Sequence, residues 1–290
     1  MTRAVLTLMS ILAVPAWLGA QTPVDERRPA MADGIVEIEN PAGSVKVIGW
    51  DKAEVWVTGT LAADAELELD GSGKRTEIEV ESESHPSGGT SDLEIHVPAG
   101  SHVEIESFQA DIEVSGVTGS VEAETMSGGI SQSGAAREVS LQSANGSVEV
   151  SGARGRIQIE VVNGMVTVED SSGTLEASTV NGKLVVTGGP FERVALESLA
   201  GGVRFDADLA AQGRLDIETV SGAAEIFVAP SIKADFSVST FTGEIGNDLG
   251  VGPVQKEEFA FATELSFSTG SGGARITVET LSGSVHIRKR

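Results

Sequence analysis

The chain has 290 residues, no cysteine, and 43 acidic against 20 basic side chains, a formal charge of −23 at neutral pH. Without cysteine it can form no disulfide and carry no lipid on a post-leader cysteine. So acidic a surface repels phosphate backbones and anionic headgroups, which argues against nucleic acid or a membrane surface as partner.

The first 20 residues read as a secretory signal. Arg3 supplies the basic start, Ala4 to Leu18 the apolar stretch, and Leu18-Gly19-Ala20 a cleavage site. The apolar run is short and broken by Pro15, and no later segment approaches ~20 apolar residues, so no membrane span is expected after signal removal. This pattern implies a released periplasmic or extracellular protein. Residues 21–30 are expected as a flexible lead-in.

Residues 31–107 alternate in short strand-like runs ("GIVEIEN", "GSVKVIG", "AEVWVTG", "DLEIHVP") whose spacing drifts. Glu83–Asp92, "ESHPSGGTSD", reads as an exposed loop. This part is expected to form irregular coils and a cap, continuous with the repeats of residues 108–290.

From residue 108 a repeat takes over. Ala110, Gly128, Gly146, Gly164 and Gly182 lie 18 residues apart, Gly201, Gly222 and Gly243 come next at 19, 21 and 21, and Gly283 lies 40 further on. Such a period marks a stacked array. In "GSVEVSGARGRIQIEVVN" Val148 and Val150 face one way and Glu149 the other; Ile157, Ile159 and Val161 then oppose Gln158 and Glu160. The next two repeats keep the phase with Val166, Val168, Leu175, Ala177 and Thr179, then Leu184, Val186, Val194, Leu196 and Ser198.

Asn-Gly between alternating runs is a hairpin signal, so an antiparallel meander is one option. It would leave a long apolar face uncovered. An outer-membrane barrel needs longer strands with an apolar exterior and aromatic girdles, whereas these carry Glu outside and the chain has no Tyr. A parallel β-helix covers its own core, each coil stacking ~4.8 Å from the last. The expected fold is therefore all-β, a single-chain, right-handed β-solenoid of about 18–21 residues per coil, regular over 108–290. Corner Asn145, Asn163 and Asn181 should stack, with the glycines serving a left-handed or tight corner. The distance to Gly283 leaves room for two longer coils, and the basic end Arg288-Lys289-Arg290 should guard an open edge.

The landmarks "VEIENPAGSVKVIGWD…VWV" (Val36–Val57), "LEIHVPAGSHVEIES" (Leu93–Ser107), the serial T-x-(S/N)-G-x-(V/I)-x-(V/I) coils and "GGARITVETLSGSVHI" (Gly272–Ile287) occur in that order. Together they resemble the bacterial β-strand-repeat "putative adhesin" family, a domain of unknown function akin to autotransporter adhesin heads. The resemblance implies a parallel β-helix in the cell envelope and brings no catalytic residues.

No nucleophile elbow, dinucleotide fingerprint or phosphate loop occurs. A β-helix enzyme on acidic sugars would need a row of Arg or Lys beside carboxylates, whereas Arg154, Arg156, Lys183 and Arg193 look scattered. His96 and His102, with Glu94 and Glu104, could gather a metal only if the chain doubles back, and solvent-facing histidines explain the spacing as well. Asp206 and Asp208 share an outward face but fall short of the six or more oxygens that Ca²⁺ takes. Trp56 alternates outward between Val55 and Val57; with Trp50 it is either covered by the cap or a contact point. The expectation is an exported, non-enzymatic protein without catalytic, cofactor or metal residues, an adhesin or envelope scaffold whose partner is an envelope protein or a surface glycan. A sensing module binding another envelope protein and a carbohydrate-active enzyme are the alternatives.

Overall fold

The computed structural model describes residues 21–82, 89–250, 255–256 and 262–290; the expected signal at 1–20 lies outside them. The described residues form 21 strands in one mixed sheet and no helix. The fold is all-β.

The middle of the chain obeys the 18-residue offset. Strand Val148–Ser151 pairs in parallel with Val166–Glu169 on one side and Ile130–Ser133 on the other. Strand Arg154–Asn163 pairs in parallel with residues 172–181 and with Glu138–Asn145. The antiparallel meander is thereby excluded: Val148–Ser151 pairs with its equivalents in neighbouring repeats, not with residues 157–161 of its own. Beyond Gly182 the rule survives longer connections, since Leu184 meets Val203 and Val194 meets Leu215 across register shifts.

Alternation sets burial. Val148, Val150, Ile157 and Ile159 are at most 1% exposed, while Glu149 and Glu160 are exposed. Residues from both strand segments of each repeat feed one continuous apolar core running from Ala30 to Ile287. Each buried Val, Leu or Ile contributes on the order of 1.5–3 kcal/mol through removal from water, so the core grows with every repeat added.

The ends depart from chain order. Residues 214–221 pair not with the next repeat but with residues 275–282, which pair on their other side with residues 235–242. Likewise Val285–Lys289 lies between Ala224–Val228 and Ile245–Asn247. The chain skips a place, builds the outer repeat, turns back through Thr263–Ser268, which pairs antiparallel with residues 235–240, and fills the vacant place last. This corrects the expectation of two longer coils beyond Gly243. It also corrects the role of the basic end. Arg288 reaches Glu225 at 3.1 Å, and Arg290 reaches Asp206 at 2.8 Å and Asp208 at 2.6 Å, so these arginines tie an inner strand to its neighbours.

The N-terminal end mirrors this. Residues 35–39 lie between residues 75–79 and 102–106, and residues 43–48 lie between 91–96 and 110–115. Residues 22–29, expected as a flexible lead-in, pair antiparallel with Glu54–Leu61, which pairs antiparallel with residues 92–96. Hydrophobic alternation over 22–29 gives no sign of a strand, because this strand covers the outer edge and needs no apolar face. Of the expected loop Glu83–Asp92, residues 83–88 lie outside the described ones. Ser91 begins a strand, is 2% exposed, and its carbonyl accepts from Asn40 Nδ2 at 3.0 Å.

Candidate binding groove

Each repeat from Gly128 on carries one four-residue corner, Thr/Ser/Val–apolar–Asn/Ser/Thr/Ala–Gly, preceded by Ser107-Phe108-Gln109-Ala110, and the groove is built beside these. In Val161-Val162-Asn163-Gly164 the alternation buries Val161 and turns Val162 outward. Asn163 then donates from Nδ2 to Asn145 Oδ1 at 3.0 Å, and Asn181 does the same to Asn163 at 3.0 Å, forming the expected ladder. The glycine has a different reason from a left-handed backbone. Gly146, Gly164 and Gly182 have no positive φ. A Cβ on any of them would overlap the carbonyl oxygen of the corresponding glycine in the preceding repeat. The same relation links Gly283 to Gly222 and Gly243 to Gly283, in keeping with the spatial order and not the chain order.

The second residue of the corner, left free in the T-x-(S/N)-G pattern, is the groove-lining position that the pattern leaves unread. Eight of the ten exposed large apolar side chains among the described residues occupy it. Met126, Val162, Val180, Leu199 and Val220 succeed one another up the stack, with Ala144 in the second place. Leu281 and Phe241 continue the row, and Phe108 precedes it. With nine positions at ~4.8 Å the ridge is about 38 Å long. A signal for it exists in the sequence: an apolar residue in the outward phase recurs at the repeat interval, the same anomaly that Trp56 shows once.

Beside the ridge runs a groove of about 880 Å³. Its floor is the buried first residue of each corner, among them Ser143, Thr179, Ser198 and Thr219. Ser143 Oγ donates to Gly128 O at 3.2 Å and Thr240 Oγ1 to Gly283 O at 3.1 Å, so hydroxyls tie floor to corner. The far wall is a row of outward polar side chains, six of them carboxylates (Glu124, Glu160, Glu197, Glu218, Glu279 and Glu264), with Gln142, Ser178 and Ser239 at the remaining positions. Among the described residues none of these six is in ion-pair reach of a Lys, Arg or His, although ion pairs are frequent elsewhere on the surface.

The basic residues that look scattered in sequence are partly aligned. Arg193, Arg214 and Arg275 occupy equivalent positions in three adjacent repeats. They stand four residues before the glutamates of the same strands, about 13 Å away, and Arg214 Nε is held by Asp216 at 2.5 Å. Arg154, Arg156 and Lys183 stand outside the groove, whose lining contains no basic side chain among the described residues.

The other candidates separate. His96 and His102 do not meet in one cluster. His96 Nε2 contacts Glu94 Oε1 at 3.0 Å, and its ring lies 4.8 Å from Trp50 and 5.0 Å from Trp56. Hydrogen bonds from His96 and Lys46 hold the Glu94 carboxyl below its ordinary range. His102 Nε2 contacts Glu104 at 2.7 Å, and a ligand atom of Glu122 lies within 4.8 Å of both; Glu68, Glu79 and Glu81 form a second, exposed group of this kind. Adjacent Glu37 has its pKa raised, first by burial and then by a hydrogen bond with Glu104, with Arg75 opposing. Asp206 and Asp208 are taken by Arg290. Trp56 is flanked by the N-terminal strand: its Nε1 donates to Asp25 Oδ1 at 2.7 Å, and Arg27 stacks 4.3 Å from its ring.

Residues 35–288 match the family model described as Toastrack DUF4097. The chain belongs to this family. The match begins where the parallel pairing begins, so the antiparallel strand of residues 22–29 precedes the part that defines Toastrack DUF4097. Among solved structures the chain is similar to a "putative adhesin" from Parabacteroides distasonis, at 9% identity over 92% of this chain and 98% of that one, with a TM-score of 0.49. It is also similar to a "putative adhesin" from Bacteroides fragilis, at 8% identity, covering 93% and 98%, TM-score 0.40. A further similar structure is a "putative lipid binding protein" from Parabacteroides distasonis, at 11% identity, covering 91% and 96%, TM-score 0.32. No curated protein matches the chain.

Proposed function

We propose that this Toastrack DUF4097 chain is an exported, non-enzymatic interaction protein of the cell envelope, adhesin-like in that one long face serves to bind. Its repeats wind into a right-handed β-solenoid whose corner presents the binding surface. The observation that carries this reading is the ridge. Exposing eight large apolar side chains in one line costs solubility and contributes nothing to the core, and contiguous apolar surface of this kind marks an interaction site. Export is supported by the leader pattern of residues 1–20. No helix of the described residues is long and apolar enough to cross a membrane.

The test uses the chain from Gln21 onward, labelled and incubated with washed cell envelopes. Saturable attachment that is lost in Leu199→Ser/Val220→Ser, with thermal unfolding unchanged, is the expected result. Attachment indifferent to those changes overturns the reading. Fractionation of producing cells, with N-terminal sequencing of the recovered chain, should place a form beginning at Gln21 outside the cytoplasm.

One observation favours a second reading. The Arg193–Arg214–Arg275 column and the glutamate row lie on one outer face, as an enzyme on acidic polysaccharides would arrange them. Release of reducing ends or unsaturated sugars from acidic polysaccharides would establish it in place of the first.

A further inference from the structure

The groove has two unlike margins, and together they define what fits it. One is an unbroken apolar ridge. The other is a line of carboxylates with no protein cation to neutralise them among the described residues. The two rows stand two residues apart along each strand, about 7 Å, the carboxylate row being interrupted at Gln142, Ser178 and Ser239, and the ridge runs for about 38 Å. An occupant must therefore present apolar groups and positive charges side by side, repeatedly, over a long and narrow footprint.

We propose that the groove binds a cationic amphipathic polypeptide segment, its apolar stripe on Val180, Leu199 and Val220 and its Lys or Arg side chains on Glu160, Glu197 and Glu218. This rests on the binding reading above and names the class of partner. The full footprint would accommodate about 25 residues of helix or about 11 of extended chain. Other occupants satisfy only one margin. A second copy of this chain brings its own carboxylate row against the first, and at −23 each the two copies repel. An anionic lipid headgroup is repelled in the same way. A polyamine answers the carboxylates and leaves the ridge wet. A neutral glycan finds few aromatic faces, since of the corner positions only Phe108 and Phe241 are aromatic.

Desolvating the ridge supplies affinity, and the carboxylate row supplies attraction and orientation, so binding should weaken with salt but not vanish. The carboxylates are exposed, and a charge pair there is worth little by itself; a row of them acting on one ligand is what matters.

The experiment titrates the full chain from Gln21 with a fluorescent synthetic peptide of roughly 18 residues, built from Leu and Lys in helical period. A counterpart with every Lys replaced by Glu serves as its charge control. Anisotropy is read at about 50 mM and about 300 mM salt. The Lys peptide should bind, and the Glu peptide should not. Leu199→Ser/Val220→Ser and Glu197→Gln/Glu218→Gln should each weaken binding about tenfold. Glu113→Gln/Glu149→Gln, on the other outer face, should change it less than about twofold. Circular dichroism melts confirm that all three variants fold. Equal weakening by the two glutamine pairs would show diffuse attraction to an acidic protein and overturn the proposal, as would binding indifferent to the serine pair. Should the chain attach to envelopes through the ridge while the peptide neither binds nor displaces it, the partner class falls and the binding reading stands. Should neither attach, both fall.

Discussion

Between Ala110 and Gly201 every repeat lies against its neighbours in sequence, whereas at both ends a repeat lies against segments from farther along the chain. The middle is governed by one local rule: eighteen residues, two strand segments, one corner. The ends use the same residues and the same pairing geometry, but solve a different problem, since a stack of parallel strands always finishes in two rows of unpaired backbone groups. At each end an antiparallel strand covers the edge, residues 22–29 and 54–61 at one and 263–268 at the other. At each end, too, a strand close in sequence to the chain terminus is paired on both sides, residues 35–39 at one and 285–287 at the other. A repeat protein thus needs a propagating rule and a stopping device, and the device is written in pairing order.

The sharpest way to break the comparison is to remove the last repeat. Deleting residues 274–290 should cost far more than deleting an equal length from a solenoid edge, because it leaves two facing edges open and empties part of the core. Loss of cooperative unfolding or conversion to oligomers, seen by light scattering after gel filtration, is the expected outcome. A folded monomer would show that the skipped place is not structural.

Within the middle, Val150→Asp puts an unpaired charge at a site 1% exposed and should destabilise by roughly 3–5 kcal/mol, while Glu149→Lys should stay within about 0.5 kcal/mol. Denaturant titration of both compares inward and outward phase directly; similar costs would invert the strand assignment.

The corner predicts a smaller, selective effect. Gly164→Val drives a Cβ into the carbonyl of Gly146 and should cost about 2–4 kcal/mol. Gly272→Ala, at φ 71° with open space around it, should cost only about 1 kcal/mol. Equal costs would mean that backbone conformation rather than stacking distance selects glycine at the corners. Asn163→Ala removes two rungs of the ladder and should cost about 1 kcal/mol.

The smallest effects are at the N-terminal end and have opposite signs. Burial raises the Glu37 pKa, so its favourable contribution holds below pH 4.5 and is lost as pH rises through the raised value. Glu37→Gln should therefore stabilise the protein at neutral pH and match it at low pH. Glu94 has a lowered pKa, so it stabilises above pH 4.5 and the gain is lost as pH falls through the lowered value. Glu94→Gln should destabilise at neutral pH only. Thermal melts at about pH 3.5 and about pH 7 would show the two variants moving in opposite directions.

Strand phase, parallel stacking and the asparagine ladder are legible in the sequence because a buried core punishes any slip: moving Val148 by one place would expose it and bury Glu149. Pairing order at the ends is not. The corners Thr240-Phe241-Thr242-Gly243 and Thr280-Leu281-Ser282-Gly283 present the same pattern to Gly222, and nothing local says which one docks there. The ridge stays hidden for a different reason. A motif written T-x-(S/N)-G treats x as free, so the apolar residue recurring there is passed over until Val180, Leu199 and Val220 are seen exposed in one line. His96 cannot be joined to Trp50 and Trp56 from sequence, because one meets it through the parallel pairing of residues 43–50 with 91–98 and the other through the antiparallel pairing of residues 56–60 with 92–96.

The filling of a vacant place by residues 274–289 also bears on how a chain of this kind comes together. When it is threaded outward from its N-terminus, everything but the closing piece arrives first and waits with a strand-shaped slot open between residues 214–228 and 234–247. The same segment from a neighbouring molecule has the matching alternation, glycine and arginines to enter that slot. Exchange of closing segments between copies is then a hazard of crowding while the chain folds, and a chain closes on itself only because its own closing strand is tethered close by, at a local concentration that a neighbour has to exceed.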